Sequence, residues 1–204
     1  MIQGTPEWYA ARAGKVTGSC IKDMLAKGKG GKESTTRRNY MTKLAIEILT
    51  GEPVIDPFSN GHMERGKELE DAARQIYEFE KGVTVEQVGF VDHPHIPRYG
   101  VSPDGLVGPD GMIQIKCPIP AIHVEYLRGS IPGEYVKQIQ AEMDCTGRQW
   151  SDFVSYCPVL PVNLQLAVIR LERDEAMIEE IRMGVLTMTE DVDALVADLM
   201  RLRA

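Results

Sequence analysis

The chain has 204 residues, a length that fits one domain with small appendages, and its 43% hydrophobic and 26% charged residues suit an ordinary soluble core. With 23 Lys plus Arg against 30 Asp plus Glu, the formal net charge is −7. That balance excludes a general polycation for nucleic acid or anionic membrane, but not a local basic site. Cys20, Cys117, Cys145 and Cys157 stand far apart with no C-x-x-C pair, which excludes a clustered zinc motif and a dense disulfide scaffold. They read as free thiols. No apolar run approaches the ~20 residues of a membrane span and no signal-peptide core is present, so the expectation is a cytoplasmic protein.

Charge is unevenly distributed along the chain. Residues 1–50 hold nine Lys/Arg against four acids, a net of +5, and the remainder carries −12. Such a split predicts one face that meets something anionic. Residues 172–198 hold nine acids against Arg173 and Arg182, and this face is expected to point away from nucleic acid or toward another subunit.

In chain order, Thr5-Pro6-Glu7 reads as N-cap, N1 proline and early acid of a short helix that Gly14 ends. Thr17 or Ser19 is the predicted cap of a second helix carrying Ile21, Met24 and Leu25. Lys27-Gly-Lys-Gly-Gly-Lys32 has no face to bury and reads as a mobile basic loop. A third helix is predicted over 36–50 with Gly51 as its C′ residue; a long fourth is capped by Asn60 and closed by Gly82. Strands are predicted over 83–92, 98–102, 105–107 and 112–117, the last two joined by the turn Gly108-Pro-Asp-Gly111. Helices over 121–128 and 134–146, strands over 150–157 and 163–172, and a helix from Asp174 follow. This order predicts an α/β (α+β) core, a central mixed sheet flanked by helices, in a single domain: 1–60 helical, 61–172 core, 173–204 terminal helix.

The segment from Ser102-Pro-Asp-Gly105 to Gln114-Ile-Lys-Cys117 carries the chemistry. Strand alternation sends Gln114 and Lys116 to one face and Ile113, Ile115 and Cys117 to the other. Asp104 offers carboxylate oxygens and Gln114 an amide oxygen to a hard cation, while Lys116 can hold a water or stabilise charge on a phosphate. Metal-assisted phosphodiester hydrolysis suits this set; an amphipathic hairpin with a solvated lysine fits the same loose spacing. On the fourth helix Met63, Gly66, Glu70, Ala73 and Tyr77 share one face, which puts Glu70 in an apolar stripe. A buried-side acid needs a partner, either a metal or a salt-bridging cation.

Together these pieces resemble the phage lambda exonuclease, or alkaline exonuclease, family of viral recombination nucleases in the PD-(D/E)XK superfamily. The resemblance runs over most of the chain. It covers Trp8 to Arg12 with Lys15-Val-Thr-Gly-Ser19, Arg65-Gly-Lys-Glu-Leu-Glu70, Ser102-Pro-Asp-Gly105, Gln114-Ile-Lys-Cys-Pro118, Tyr135-Val-Lys-Gln-Ile-Gln140 and Ile169-Arg-Leu-Glu-Arg-Asp174. It implies a restriction-endonuclease-like core. Asp104, Gln114 and the Ile115 carbonyl would ligate Mg2+, with Glu70 completing a site for up to two ions; Mn2+ would substitute. Lys116 would orient or activate the water, Gln138 would touch the scissile phosphate or the water, and Arg12, Ser19 and Ser102 would grip a 5′-phosphate. The expected activity is processive 5′→3′ digestion of linear duplex DNA to 5′-mononucleotides. The expected partners are duplex ends and single-stranded product, two further copies in a homotrimeric ring, and a single-strand annealing protein.

One position departs from the family pattern: Gln114 stands where a Glu is expected. The amide keeps the shape and one oxygen, but removes a negative charge and bidentate chelation. The rival functions are an end-binding module whose chemistry is lost through Gln114 and a restriction-like endonuclease. His93-Pro-His95 lacks a third ligand nearby in sequence, and Trp8 and Trp150 read as core or boundary residues.

Overall fold

The computed structural model of the chain describes residues 2–28, 30, 32, 34–55 and 60–202, without the side chains of 60–68. The N-terminal part begins with α1 (Pro6–Arg12), capped by the Thr5 hydroxyl accepting from the Trp8 N–H. It continues through the short strand β1 (Val16–Thr17), a 3-10 turn (Gly18–Cys20) and α2 (Ile21–Met24). In α3 (Thr35–Thr50), the Ser34 side chain accepts from the Arg37 N–H at one end and Gly51, at φ 71°, closes the other. The basic loop is only partly among the described residues: Lys29 and Gly31 lie outside them.

The centre is a five-stranded mixed sheet in the order β2-β5-β6-β7-β8. Its strands are β2 (Val85–Glu86), β5 (Gly105–Val107), β6 (Gly111–Lys116), β7 (Trp150–Tyr156) and β8 (Leu166–Glu172). The β6–β7 pair is parallel and the other three pairs are antiparallel. A parallel pair needs a crossover, and α5 (Pro120–Leu127) with α6 (Gly133–Thr146) supplies it. The long helix α4 (Asn60–Lys81) covers the opposite face.

The pleat of β6 divides two cores. Ile113 and Ile115 pack with Ala73 and Tyr77 of α4 and with Val154 and Tyr156, whereas Met112 packs with Ile139 and Met143 of α6, Tyr126 and Phe153. Each fully buried large side chain contributes about 1.5–3 kcal/mol. A third core joins the ends of the chain: Ile181, Val185, Met188 and Val192 of α7 (Glu175–Arg201) pack against Tyr40 and Leu44 of α3, Ile21 and Met24. It also takes in Tyr99 and Val101 of β4 (Tyr99–Val101), the middle strand of a small sheet β1-β4-β3, with β3 at Val91–Asp92.

Several expectations need correction. The strand predicted over 83–92 is two short strands, because the chain changes sheets: Val85–Glu86 pairs with β5 and Val91–Asp92 with β4. The strand predicted over 163–172 opens as a 3-10 turn, where the Leu164 N–H bonds the Pro161 carbonyl before β8 begins. Neither Thr17 nor Ser19 caps α2 by a side-chain hydrogen bond. The acidic α7 face is not wholly outward: Asp191 pairs with Arg37 of α3 and Asp193 with Arg98, each at 2.6 Å.

Candidate active site

Asp104 stands between β4 and β5, just before the register pair Gly105↔Ile113. That register sets its carboxylate beside the next residues of β6. Asp104 Oδ2 accepts from the Ile115 backbone N–H at 2.7 Å and from Gln114 Nε2 at 2.5 Å. The glycine that follows is required by packing: a Cβ at Gly105 would lie 2.1 Å from Val85 Cγ1. A strand residue points its N–H and C=O to the same side, so the Ile115 carbonyl also faces the Asp104 side, beyond the end of β5.

Gln114 is buried on the α6 side of the sheet, as alternation requires. Its nitrogen is turned to Asp104 and its oxygen accepts from Gln138 Nε2 at 3.2 Å. In this arrangement the amide offers Asp104 a donor; rotation about the last side-chain bond would exchange nitrogen for oxygen. Gln138 Nε2 also donates to Glu142 Oε1 at 2.8 Å, one turn further along α6. Glu142 is 1% exposed, and its second oxygen, Oε2, has no hydrogen-bond partner among the described residues. Burial, then the nearby Asp104 charge, pushes the Glu142 carboxyl up to about 8, against the Gln138 bond and Lys116. Burial also pushes Asp104 up, while Lys116 and the Ile115 N–H pull it down. Lys116, whose ammonium lies 5.2 Å from the Tyr135 ring centre, makes no ion pair among the described residues.

Glu70 reaches the same place from the other face. It lines a 540 Å³ cleft together with Asp104 and Ile115, while Ala73 and Tyr77 on its helical face are buried. The structure therefore gathers Asp104, Gln114, Ile115, Lys116 and Gln138 around one strand end and brings Glu70 to the cleft beside them. Among the described residues, no three His, Cys, Asp or Glu side chains form a ready-made metal cluster. Mg2+ requires fewer protein ligands, because it keeps several waters and takes one or two carboxylates. The orphaned oxygen of Glu142, the Asp104 carboxylate and the Ile115 carbonyl are hard donors of that kind, so the residues fit the ion.

Arg12, Ser19 and Ser102 also converge. The guanidinium lies flat over Trp8, 3.9 Å from the ring centre, donating to Ser102 Oγ at 3.4 Å and to Ser19 Oγ at 3.5 Å. Trp8 Nε1 donates to the same Ser102 hydroxyl at 2.9 Å. Arg12 and Trp8 line a 200 Å³ cavity with Lys15 and Lys43; of these cations, Lys15 pairs with Asp92 and Lys43 with Glu47, while Arg12 pairs with no carboxylate among the described residues. Glu47 also lines this cavity, but it turns to Lys43 rather than Arg12, and a cation beside hydroxyls with no ion-paired carboxylate suits a phosphate.

Two residues of these constellations went unassigned in the sequence. Trp8 reads there as a core or boundary residue and is indeed buried, but it is also the plate under Arg12; the signal is its i, i+4 spacing on α1. Glu142 carries no assignment there; the signal is a carboxylate between Ile139 and Met143, both fully buried. His93 is structural: its Nδ1 accepts from the N–H groups of His95 and Ile96, and its Nε2 lies 3.3 Å from Asp144.

The sequence profile of the YqaJ-like viral recombinase domain matches residues 7–149. Two crystal structures of LHK-Exo, an alkaline exonuclease from Laribacter hongkongensis, cover 98% of this chain with 98% of their own. The complex with dAMP is 46% identical with a TM-score of 0.90; the other is 44% identical with a TM-score of 0.88. A phage-related exonuclease from Haemophilus somnus 129PT shares the fold at 17% identity and TM-score 0.75, over 91% of this chain and 96% of that one. No curated protein matches the chain significantly.

Proposed function

Because the chain belongs to the YqaJ-like viral recombinase family, a family of nucleases akin to the alkaline exonucleases, we propose that it digests linear duplex DNA from 5′-phosphorylated ends. It works 5′→3′ in the presence of Mg2+, with Mn2+ as a substitute, and releases 5′-mononucleotides. The observation that carries this reading is the spacing of the two constellations. Ser102, in the phosphate-gripping pocket, and Asp104, in the acidic centre, are separated by Pro103 alone, a span of about 7 Å and so on the scale of one nucleotide. A terminal phosphate at Arg12 would then leave the next phosphodiester at Asp104. The dAMP bound in the LHK-Exo crystal is a product of the expected size.

Arg12 and the Ser19 and Ser102 hydroxyls hold the terminal phosphate. Lys116, on the strand face beside Gln114, orients the attacking water and stabilises charge on the scissile phosphate, and Gln138 contacts that phosphate or the water. Water adds to phosphorus and the 3′-oxygen of the terminal nucleotide leaves with a proton. The nucleotide departs carrying its own 5′-phosphate, and the shortened strand acquires a new one to occupy the same pocket. Mg2+ held by Asp104, the Ile115 carbonyl and Glu70, with Gln114 once its amide turns, would polarise the phosphate and lower the pKa of water. The working form would be a homotrimeric ring that passes the surviving single strand to an annealing protein.

Incubation with 5′-phosphorylated linear duplex and with closed circular duplex tests this reading. Mononucleotides should form in Mg2+ from the linear substrate alone, and Asp104→Ala or Lys116→Ala should abolish their release without unfolding the chain. Cutting of the circle would establish the endonuclease instead, and end binding without release would establish the inactive binding module.

A further inference from the structure

Position 114 leaves a deficit. The residue beside Asp104 is an amide, so strand β6 contributes no negative charge to the centre. Directly across, on α6, an acid occupies a place where an acid is costly: Glu142 is 1% exposed, and no Lys or Arg forms an ion pair with it among the described residues. Among the described residues only one of its oxygens is occupied, by Gln138 Nε2, and the buried Oε2 has no partner. A buried carboxylate oxygen left without a partner is costly, and more so when charged. A continuous chain of side chains joins this acid to the centre, from Glu142 to Gln138 to Gln114 to Asp104, at 2.8, 3.2 and 2.5 Å.

We propose that Glu142 on α6 supplies the carboxylate that strand position 114 lacks, so that the divalent cation is held between Asp104 and Glu142. This rests on the reading of the site as a metal-dependent nuclease. The acid that strand β6 lacks comes from helix α6, Gln114 and Gln138 link it to Asp104, and with Glu70 the centre holds three carboxylates. Gln114 is then neither a disabling change nor the principal ligand but a neutral spacer whose exchange for Glu is compensated one helix away.

The test is Mn2+ binding to the full chain without DNA, by isothermal titration calorimetry, for wild type, Glu142→Gln, Gln114→Glu and the double variant Gln114→Glu/Glu142→Gln. Glu142→Gln should weaken Mn2+ by about tenfold or more with an undiminished thermal midpoint, and the double variant should recover the affinity and the exonuclease rate. A merely structural role for Glu142 would not be rescued from the strand. Mn2+ affinity within about twofold of wild type in a folded Glu142→Gln chain overturns the proposal, as does a folded double variant with no recovery. If Glu142→Gln does not fold, Glu142→Asp, which withdraws the carboxylate by one methylene, should weaken Mn2+ severalfold, and an unchanged affinity there overturns it. A wild-type chain that digests DNA while Glu142→Gln binds Mn2+ normally defeats this inference alone; a wild type that neither binds Mn2+ nor digests DNA defeats the metal-nuclease reading with it.

Discussion

Arg12 shows how its neighbours equip one residue for the phosphate contact proposed above. On its own it is a helix-end arginine. Four residues earlier, Trp8 gives it an aromatic plate, and Ser19 and Ser102, brought in from a 3-10 turn and from the segment after β4, surround its guanidinium with hydroxyls. Arg12→Ala should remove the preference for 5′-phosphorylated over 5′-hydroxyl ends and lower the rate on phosphorylated ends by about tenfold or more, since a charge-assisted contact is worth roughly 1.5–3 kcal/mol. Comparing digestion of the two kinds of end measures this, and an unchanged preference would move the phosphate pocket elsewhere. Arg12→Lys should restore only part of it, because a lysine keeps the charge but not the planar fork. Asp104, Gln114 and Lys116 stand out by type and strand spacing, but that spacing also fits an amphipathic hairpin, and the family resemblance is what singles them out. Glu142 does not stand out, because in the sequence it is one of thirty acids, and only its burial distinguishes it.

Among the elements, α6 has the largest part. One of its faces puts Ile139 and Met143 against the sheet, another presents Gln138 and Glu142 to β6, and its C-terminal turn carries Asp144. Asp144 is a buried hub: Arg182 of α7 binds it through Nη2 at 2.5 Å, Arg173 lies 3.5 Å away and His93 3.3 Å away. Removing the anion would leave the Arg182 and Arg173 guanidiniums without their shared acceptor. Asp144→Ala should therefore destabilise the fold by about 3 kcal/mol, at the lower end of the range for a broken buried pair because Arg182 is partly solvated. Urea denaturation would register this as a lower midpoint, and a loss under about 1 kcal/mol would show the hub to be dispensable. The same network accounts for His93, whose metal-like spacing with His95 instead builds a turn: the imidazole accepts two backbone N–H groups and faces Asp144.

At the scale of the molecule, the charge division along the chain is partly cancelled by folding. Of the N-terminal cations, Lys15 pairs with Asp92, Lys22 with Glu134 and Arg37 with Asp191. The acidic terminal helix thus neutralises part of the basic segment it packs against, and Arg12 is left facing hydroxyls. If, as proposed, a protein of net charge −7 holds DNA at a small site, it needs another device to remain on its substrate, and encirclement by a ring would be such a device. Light scattering should accordingly give about 68 kDa, three copies of the 22.7 kDa chain. Digestion should remain processive as salt rises through a range that releases a simple electrostatic binder. A mass of 22.7 kDa at working concentration would remove the ring from the proposal.

The sequence by itself determined most of the elements and, through the family resemblance, the candidate residues of the centre. Period-2 alternation places Gln114 and Lys116 opposite Ile113 and Ile115, capping residues such as Thr5, Ser34 and Gly51 mark helix ends, and Ser-Pro-Asp-Gly with Gln-Ile-Lys-Cys carries the family resemblance. All of these are local signals, fixed by backbone geometry within a few residues. Tertiary structure decided which distant groups meet: Glu142 with Gln114, Trp8 with Ser102, Asp191 with Arg37, and the division of residues 83–92 between two sheets. Burial and cross-element pairing depend on the packing of helices against the sheet, and that packing leaves no periodic trace at the residue that is buried.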